Sequence, residues 1–222
     1  MSQQTQHLFA ELYAAFAAVD KPRKIDGCRC CIDDKEVHVL LTKSLREISA
    51  EEMASYAGSA LLTVGSPDDY RYFLPRILEI KMSVPAWWPD WEVLGRKLRE
   101  ARWETWSALE RQAILQVFDR QLQLALEGND GAEIDGLLCG LACAELDLAP
   151  HLSRVGADPA RVLALYTWHA NELEAGALAN GFWSDAPQGA TQLLAWFRSE
   201  KIGLIVLDAC GVDLSLPPNS SP

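Results

Sequence analysis

The sequence predicts an all-α protein. Apolar residues recur at helical spacing along most of the chain, and Ser residues placed three positions before acidic residues mark several helix starts. No segment alternates with period two over more than a few residues. About nine or ten helices joined by short loops favour stacked antiparallel pairs, as in a HEAT-like or irregular α-array. We expect one domain over residues 1–214, with a sub-division near 128–131, and a flexible tail over 215–222.

The first segment is an amphipathic helix. Leu8, Leu12 and Phe16 fall on one stripe, and Glu11 interrupts the apolar stretch. Because no basic residues precede this stretch, it does not resemble a signal peptide, and we expect a cytoplasmic protein. A loop rich in cysteine follows, and then a short helix over residues 34–42.

Capping boxes mark the next helices, because the Ser hydroxyl and the acidic side chain satisfy free amide groups at a helix start. The pairs are Ser49 with Glu52, Ser66 with Asp69, and Ser107 with Glu110. The first of these helices is expected to end near Val64, and the last near Gly128. Pro75 lacks an amide proton and crowds the preceding turn, so we expect two consecutive helices around it.

The second half contains the clearest break in the chain, the GNDG turn at residues 128–131. Asp158 and Pro159 form a typical helix start, and His169 lies on the apolar stripe of that helix, where we expect a hydrogen-bonded core histidine. Further helices are expected over residues 132–145, 159–176, 187–199 and 200–210.

Charge is distributed unevenly. The formal net charge is −11, and residues 101–222 hold 7 basic against 16 acidic residues. Such a field repels nucleic acid and anionic lipid and attracts basic proteins. No window approaches the roughly 20 apolar residues of a membrane span. We therefore expect a basic protein partner, no nucleic acid and no membrane; the oligomeric state is left open.

Cys28 and Cys31 form a CxxC pair, a spacing that lets two thiolates reach one zinc ion or act as a redox pair. Cys30 stands between them, and His38 is the best local candidate for a further ligand. Since a lone pair is half of a structural zinc site, the alternative is a loop of ordinary thiols. Zinc is the only cofactor that the sequence suggests.

Cys139 and Cys143 stand four apart on an expected helix and could complete a four-thiolate set. Their surroundings, LLCGLACAEL, are small or apolar, so buried core cysteines are the stronger interpretation.

An acidic face is the main candidate for partner binding. Its residues are Glu127, Asp130, Glu133 and Asp135 around the GNDG turn, with Glu172 and Glu174 at a later helix end. Two adjacent tryptophans, Trp87 and Trp88, cannot both face one core from a regular helix, so at least one is expected to be exposed as an aromatic anchor.

Local catalytic motifs for hydrolases, metalloproteases, deaminases and nucleotide-binding enzymes do not occur in the sequence. We therefore expect no enzymatic activity. An alternative is an enzyme with dispersed residues, for which Asp69, Arg71, Arg76 and Glu79 around Pro75 are the candidate cluster.

Several motifs together resemble a bacterial family of uncharacterised helical proteins: GCRCC, SLREIS, TVGSPDDYRYFLPRILE, a Trp-rich segment and LLCGLACAE. The similarity covers roughly residues 10–148. The family's CxxC loop matches Cys28 and Cys31, and its FLPR segment matches residues 73–76, whereas Cys30 is an addition. The resemblance implies a helical bacterial protein and supplies no activity.

These observations lead to one main hypothesis and, besides the enzyme with dispersed residues, to one alternative. The main hypothesis is a non-enzymatic binding protein, of the immunity or antitoxin type, whose acidic face occludes a basic toxin such as a nuclease. The alternative is a zinc-stabilised or thiol-redox protein that uses the CxxC loop.

Overall fold

The computed structural model describes residues 3–173, 175–212 and 214. Within these residues the chain forms eleven α-helices and two isolated β-bridges, without a strand. The all-α prediction is therefore confirmed, with more helices than the nine or ten expected. The helices are α1 (Gln3–Ala15), α2 (Asp34–Thr42), α3 (Ala50–Ser59), α4 (Pro67–Ser83), α5 (Trp91–Glu100), α6 (Ala108–Gly128), α7 (Gly131–Cys143), α8 (Ala149–Val155), α9 (Pro159–Leu173), α10 (Pro187–Phe197) and α11 (Glu200–Cys210).

The chain divides into two compact units. Unit 1 comprises Met1–Asp90 and Lys97–Asp119, and unit 2 comprises Trp91–Arg96 and Arg120–Pro222. The single-domain prediction stays a prediction, and its tail over 215–222 lies outside the described residues. Each helix in the described part of the chain is too short or too polar to span a membrane.

Helix starts in unit 1 follow the sequence closely. Ser49 caps α3 and Ser66 caps α4, each in a reciprocal capping box with the acidic residue three positions later. At α6, the Ser107 amide donates to Glu110 and the Glu110 amide donates back to the Ser107 hydroxyl. These starts are local, because a cap satisfies amides within its own first turn.

Pro75 does not divide α4, so the expectation of two helices there is wrong. The helix runs unbroken from Pro67 to Ser83 with Pro75 inside it and buried. A proline inside a helix costs about 3 kcal/mol. That cost is offset by burial on both sides of the proline, where Phe73, Leu74 and Ile77 have no exposed surface.

An ion pair joins α4 to α6 within unit 1. The Arg71 guanidinium donates two hydrogen bonds of 2.6 Å to the two carboxylate oxygens of Glu110. Burial raises the pKa of Glu110, but the hydrogen bonds from Arg71 and Ser107 lower it more, so the pKa of this carboxyl lies below its ordinary value. A bidentate pair of this kind is stronger than an exposed point contact.

This pair predicts that the protein loses stability in acid. A carboxyl whose pKa is lowered by folding stabilises the native state fully above its unfolded pKa of about 4.3, and the stabilisation is lost as pH falls through the folded pKa. We expect Glu110→Gln to be destabilised by about 1.5–3 kcal/mol at neutral pH. In urea unfolding from pH 7 to pH 2, the difference between variant and wild type should shrink in acid; a constant difference would contradict this role.

Unit 2 is built around α7, from which Ile134 to Cys143 are all buried. Glycines let neighbouring backbones approach this helix. A Cβ at Gly140 would lie 2.6 Å from the carbonyl oxygen of Trp91, and one at Gly131 would overlap the carbonyl oxygen of Ala164 in α9. A Cβ at Gly189 of α10 would overlap the side chain of Ala142. Three segments therefore pack closely against α7.

The close approach makes Gly140→Ala strongly destabilising. The added methyl would meet backbone atoms of Trp91, which cannot turn away as a side chain can, so we expect a loss of at least about 1–3 kcal/mol. Gly203→Ala in α11 is the matched control, because a Cβ there meets nothing within 4 Å. The control should be neutral or stabilised by up to about 1 kcal/mol, since alanine favours helix. Thermal unfolding followed by circular dichroism measures both, and equal midpoints would contradict the packing described for α7.

Candidate metal centre

The cysteine loop of unit 1 is fixed to the turn that follows α3. Gly27 forms an isolated antiparallel bridge with Val64, and the Cys28 amide donates to the carbonyl oxygen of Thr63 over 2.9 Å. A Cβ at Gly27 would lie 3.0 Å from the Val64 Cα, so this approach favours glycine. The start of the loop is therefore held by backbone contacts.

The other end of the loop leads into α2. The Cys31 amide donates to the Cys28 carbonyl over 2.9 Å, which forms a tight turn. Asp33 then caps α2 in a capping box with Glu36, and its carboxylate accepts two amide hydrogen bonds of 2.8 Å. The three thiols therefore lie on a short segment that is held at Cys28 on one side and at Asp33 on the other.

The three thiols lie together. The sulfur atoms of Cys28, Cys30 and Cys31 are all within 4.8 Å of one another. The Cys28 and Cys30 sulfurs are 2.7 Å apart, and those of Cys30 and Cys31 are 3.8 Å apart. Cys28 and Cys30 are exposed and Cys31 is half-buried. The loop therefore presents a cluster of three sulfurs that solvent can reach.

Hydrogen bonding between the thiols of Cys28 and Cys30 shifts their pKa values in opposite directions. The thiol of Cys30 lowers the pKa of Cys28 below its ordinary value. The same interactions, first with Cys28 and then with Cys31, raise the pKa of Cys30 to about 11. Cys28 therefore loses its proton more readily than Cys30, and the thiolate is the form that binds metal or attacks a disulfide.

The arrangement suits a thiophilic ion. With a Zn–S bond of about 2.3 Å, sulfurs that share one ion in a plane lie roughly 4 Å apart. The observed separations, from 2.7 Å to at most 4.8 Å, lie on both sides of that value. Rotation of the three side chains, two of which are exposed, can close this difference in sulfur separation. Three thiolates from one loop can thus hold a single ion.

The structure brings together the two cysteines predicted from the sequence and adds Cys30, which the CxxC spacing did not include. Among the described residues, His38 does not join this group. Cys139 and Cys143 are buried in α7. The pKa of Cys139 is raised, mainly by its hydrogen bond with Cys143 and secondly by its burial. These two thiols occupy the apolar interior of unit 2, as the stronger interpretation expected.

The predicted acidic face is exposed in part. Glu127, Asp130 and Glu133 lie on the surface around the turn between α6 and α7. Asp130 caps α7 by accepting the amides of Ala132 and Glu133, and Glu127 accepts a hydrogen bond from the amide of Gln123. The carboxylates of Glu127 and Asp130 thus have local structural partners, and all three carboxylates face solvent.

The remaining predicted acids differ. Asp135 has no exposed surface, so it cannot contribute to an acidic face. The reason is its position in α7, where residues on all sides are buried by neighbouring helices. Glu172 is half-buried, and Glu174 lies outside the described residues.

The two adjacent tryptophans face different environments, as their neighbouring positions in the chain predict. Trp87 is buried and its indole donates to the carbonyl oxygen of Ala50 over 3.1 Å. Trp88 is 49% exposed and lies beside Gly58, where an added Cβ would be 3.4 Å from the indole nitrogen. Of the pair, Trp88 is the side chain that a partner can reach.

A buried polar cluster in unit 2 surrounds Asp135. Its carboxylate accepts hydrogen bonds from the indole nitrogens of Trp183, at 2.9 Å, and Trp168, at 3.3 Å. The Asn180 amide donates to Asp135 over 2.9 Å and to the nearly buried carboxylate of Glu92 over 2.6 Å. One side-chain amide thus bridges two carboxylates.

His169 completes this cluster. Its Nε2 lies 2.8 Å from Asp135 Oδ1, outside hydrogen-bond alignment, and its Nδ1 accepts the amide of Ala179 over 3.0 Å. In the neutral ring the proton is therefore on Nε2, towards Asp135. The prediction of a buried, hydrogen-bonded histidine is confirmed. The sequence signal for Asp135 is an acid at the start of a run, residues 134–143, whose other members are all small or apolar.

The charged residues around Pro75 have structural partners within unit 1. Arg71 pairs with Glu110, and Arg76 donates to Glu79 over 2.6 Å. Asp69 belongs to the capping box of α4. Each of the four residues thus has a hydrogen-bonding partner within unit 1.

Comparison with known proteins gives no relative to guide the assignment. No family model matches the chain, and no curated protein or solved structure shows significant similarity to it. The resemblance to a helical bacterial family stays a prediction, and the cysteine cluster is the arrangement whose chemistry is most specific.

Proposed function

We propose that this protein binds a thiophilic metal ion through Cys28, Cys30 and Cys31. The observation that supports this function is the convergence of three sulfur atoms within 4.8 Å in one exposed loop. Thiolates select soft and borderline ions, among them Cu(I) and Zn(II), over Mg²⁺ and Ca²⁺. Zinc, expected from the sequence as a candidate cofactor, belongs to this class.

The anchoring of the loop supports the proposal. Backbone contacts to Thr63 and Val64 on one side and the capping box of α2 on the other limit how far the thiols can separate. The chain therefore loses part of the conformational freedom of the three ligands when it folds, so less is lost when the ion binds. Binding should leave the helices of unit 1 in place.

Titration with Cd(II) tests the proposal, because cadmium–thiolate bonds absorb in the ultraviolet. The full chain, reduced and free of oxygen, should give an absorbance rise that ends at one ion per chain. Cys210→Ser is the matched control, since Cys210 is also exposed but stands apart from the cluster. It should titrate like wild type. Absence of a saturating signal in wild type would refute the function.

Binding of a basic protein is a second proposal, favoured by the three carboxylates exposed around the α6–α7 turn. An inhibitor of a basic toxin would use Glu127, Asp130 and Glu133, without Asp135, and Trp88 is a separate aromatic candidate. Purification of partners from the native cell at low and high salt tests it. A basic partner that is lost at high salt, and that Glu127→Lys with Glu133→Lys no longer retains, would support the proposal; retention by that variant would contradict it.

Other sequence expectations also stay proposals. They are the stacked, HEAT-like pairing of helices, the cytoplasmic location and the bacterial origin. None of them is needed for metal binding by the cysteine cluster.

A further inference from the structure

We infer that the three-cysteine loop takes monovalent copper, Cu(I), as a single ion with three sulfur ligands, in preference to Zn(II). This inference rests on the proposed function and names the ion that the site prefers. Three features of the loop support this inference: the type of its donors, their number, and their placement within four consecutive positions of the chain.

The donors are all sulfur. Every cysteine and histidine of the chain is among the described residues, and the group whose donor atoms converge contains Cys28, Cys30 and Cys31. Cu(I) is a soft ion that binds thiolates in preference to nitrogen and oxygen ligands. Zn(II) is a borderline ion that also accepts imidazole and carboxylate. A purely sulfur set therefore favours copper.

The number of donors points the same way. Structural zinc sites are almost always four-coordinate and closed, so three ligands from this loop leave a zinc ion one ligand short. Cu(I) has a filled d shell and forms stable planar complexes with three thiolates. For Cu(I), the cluster is complete as it stands within the described residues.

The placement of the donors fits a planar, solvent-facing complex. Three ligands drawn from positions 28 to 31 of one loop hold the ion at the edge of unit 1, and two of these ligands are exposed. The separations of 2.7 Å and 3.8 Å need side-chain rotation only to reach the roughly 4 Å spacing of a three-sulfur plane. A tetrahedral ion would need its fourth ligand from solvent or from another molecule.

A competition between the two ions tests the inference. The reduced full chain, without oxygen or added thiol, is first offered one equivalent of Zn(II). It then receives one equivalent of Cu(I), supplied as its acetonitrile complex. A chromophoric chelator reports released zinc, and elemental analysis after gel filtration reports retained copper. We expect loss of the zinc and retention of one copper per chain.

Variants locate the ion. Cys30→Ser should bind Cu(I) at least about 100-fold more weakly than wild type. A residue that only supports a ligand is expected to change the affinity by about 10–100-fold. Cys210→Ser should retain copper like wild type. Circular dichroism of the metal-free variants checks that both remain folded.

The outcomes separate the inference from the proposed function. Zinc that stays bound against Cu(I) would overturn the copper preference and leave thiophilic metal binding intact. Copper retained equally by Cys30→Ser would overturn the three-sulfur site. If wild type bound neither ion, both the inference and the proposed function would fail.

Discussion

Replacing Cys28, Cys30 and Cys31 together with serine is expected to abolish metal binding while the fold survives. Serine keeps the size of the side chain but lacks the sulfur that a soft ion requires. Because Cys28 and Cys30 are exposed and Cys31 is half-buried, the metal-free variant should unfold within about 0.5 kcal/mol of wild type. Equilibrium dialysis against a thiophilic ion measures the loss of binding, and circular dichroism in urea measures the stability.

The single variants sharpen this prediction. A CxxC site would depend on Cys28 and Cys31 and tolerate Cys30→Ser, whereas the convergence of three sulfurs makes Cys30 an equal ligand. Cys30→Ser should therefore weaken binding by at least about 100-fold, as Cys28→Ser should, since loss of a direct ligand costs no less than loss of its supporting contacts. Unchanged affinity in Cys30→Ser would show that the CxxC pair is sufficient.

Asp135→Asn is expected to destabilise unit 2 by about 1–3 kcal/mol, the usual effect of leaving a buried hydrogen-bonding group without its partner. The carboxylate has no exposed surface and accepts hydrogen bonds from Trp168, Trp183 and Asn180. Asparagine has the same shape, but its amide would place two donors where the neighbours also donate. At least one buried polar group would then lose its partner.

Asp130→Asn is the matched control for that substitution. It makes the same chemical change on the same helix, but Asp130 is the exposed cap of α7, a position where asparagine and aspartate serve about equally well. Its midpoint in urea should stay close to that of wild type. If Asp135→Asn also unfolded with the wild-type midpoint, the buried cluster would not be holding unit 2 together.

Helix starts could be predicted from the sequence because their chemistry is local. The capping boxes at Ser49, Ser66 and Ser107 involve residues three positions apart, and each forms as expected. The turn between α6 and α7 is also local. The ends of helices were predicted less accurately. Helix α3 ends at Ser59 rather than near Val64, because the residues that follow Ser59 form backbone hydrogen bonds with the cysteine loop.

Tertiary packing explains the errors. Pro75 breaks helices in isolation, but the burial of α4 on both sides of it outweighs the lost hydrogen bond. Composition alone predicts Asp135 on the surface, because it does not show which side of a helix is covered. From Ile134 onward every side of α7 is covered, so the carboxylate is buried and its partners come from residues more than 30 positions away.

The candidate metal centre was half predicted. The CxxC spacing identified Cys28 and Cys31, because ligands separated by two residues can share an ion. Cys30 falls outside that spacing, because it stands next to Cys31, and adjacent side chains of an extended chain point to opposite sides. The turn formed between Cys28 and Cys31 brings its sulfur back to the others. That turn depends on contacts with Val64 and Thr63, which local spacing does not reveal.

X-ray absorption at the edge of the bound metal tests metal binding by the three thiols most directly, because it counts the atoms that surround the ion. For the metal-loaded full chain, we expect three sulfur neighbours in the first shell, and two in Cys30→Ser wherever the ion is still retained. A first shell of nitrogen and oxygen atoms, or one with the same number of sulfurs in wild type and Cys30→Ser, would contradict it.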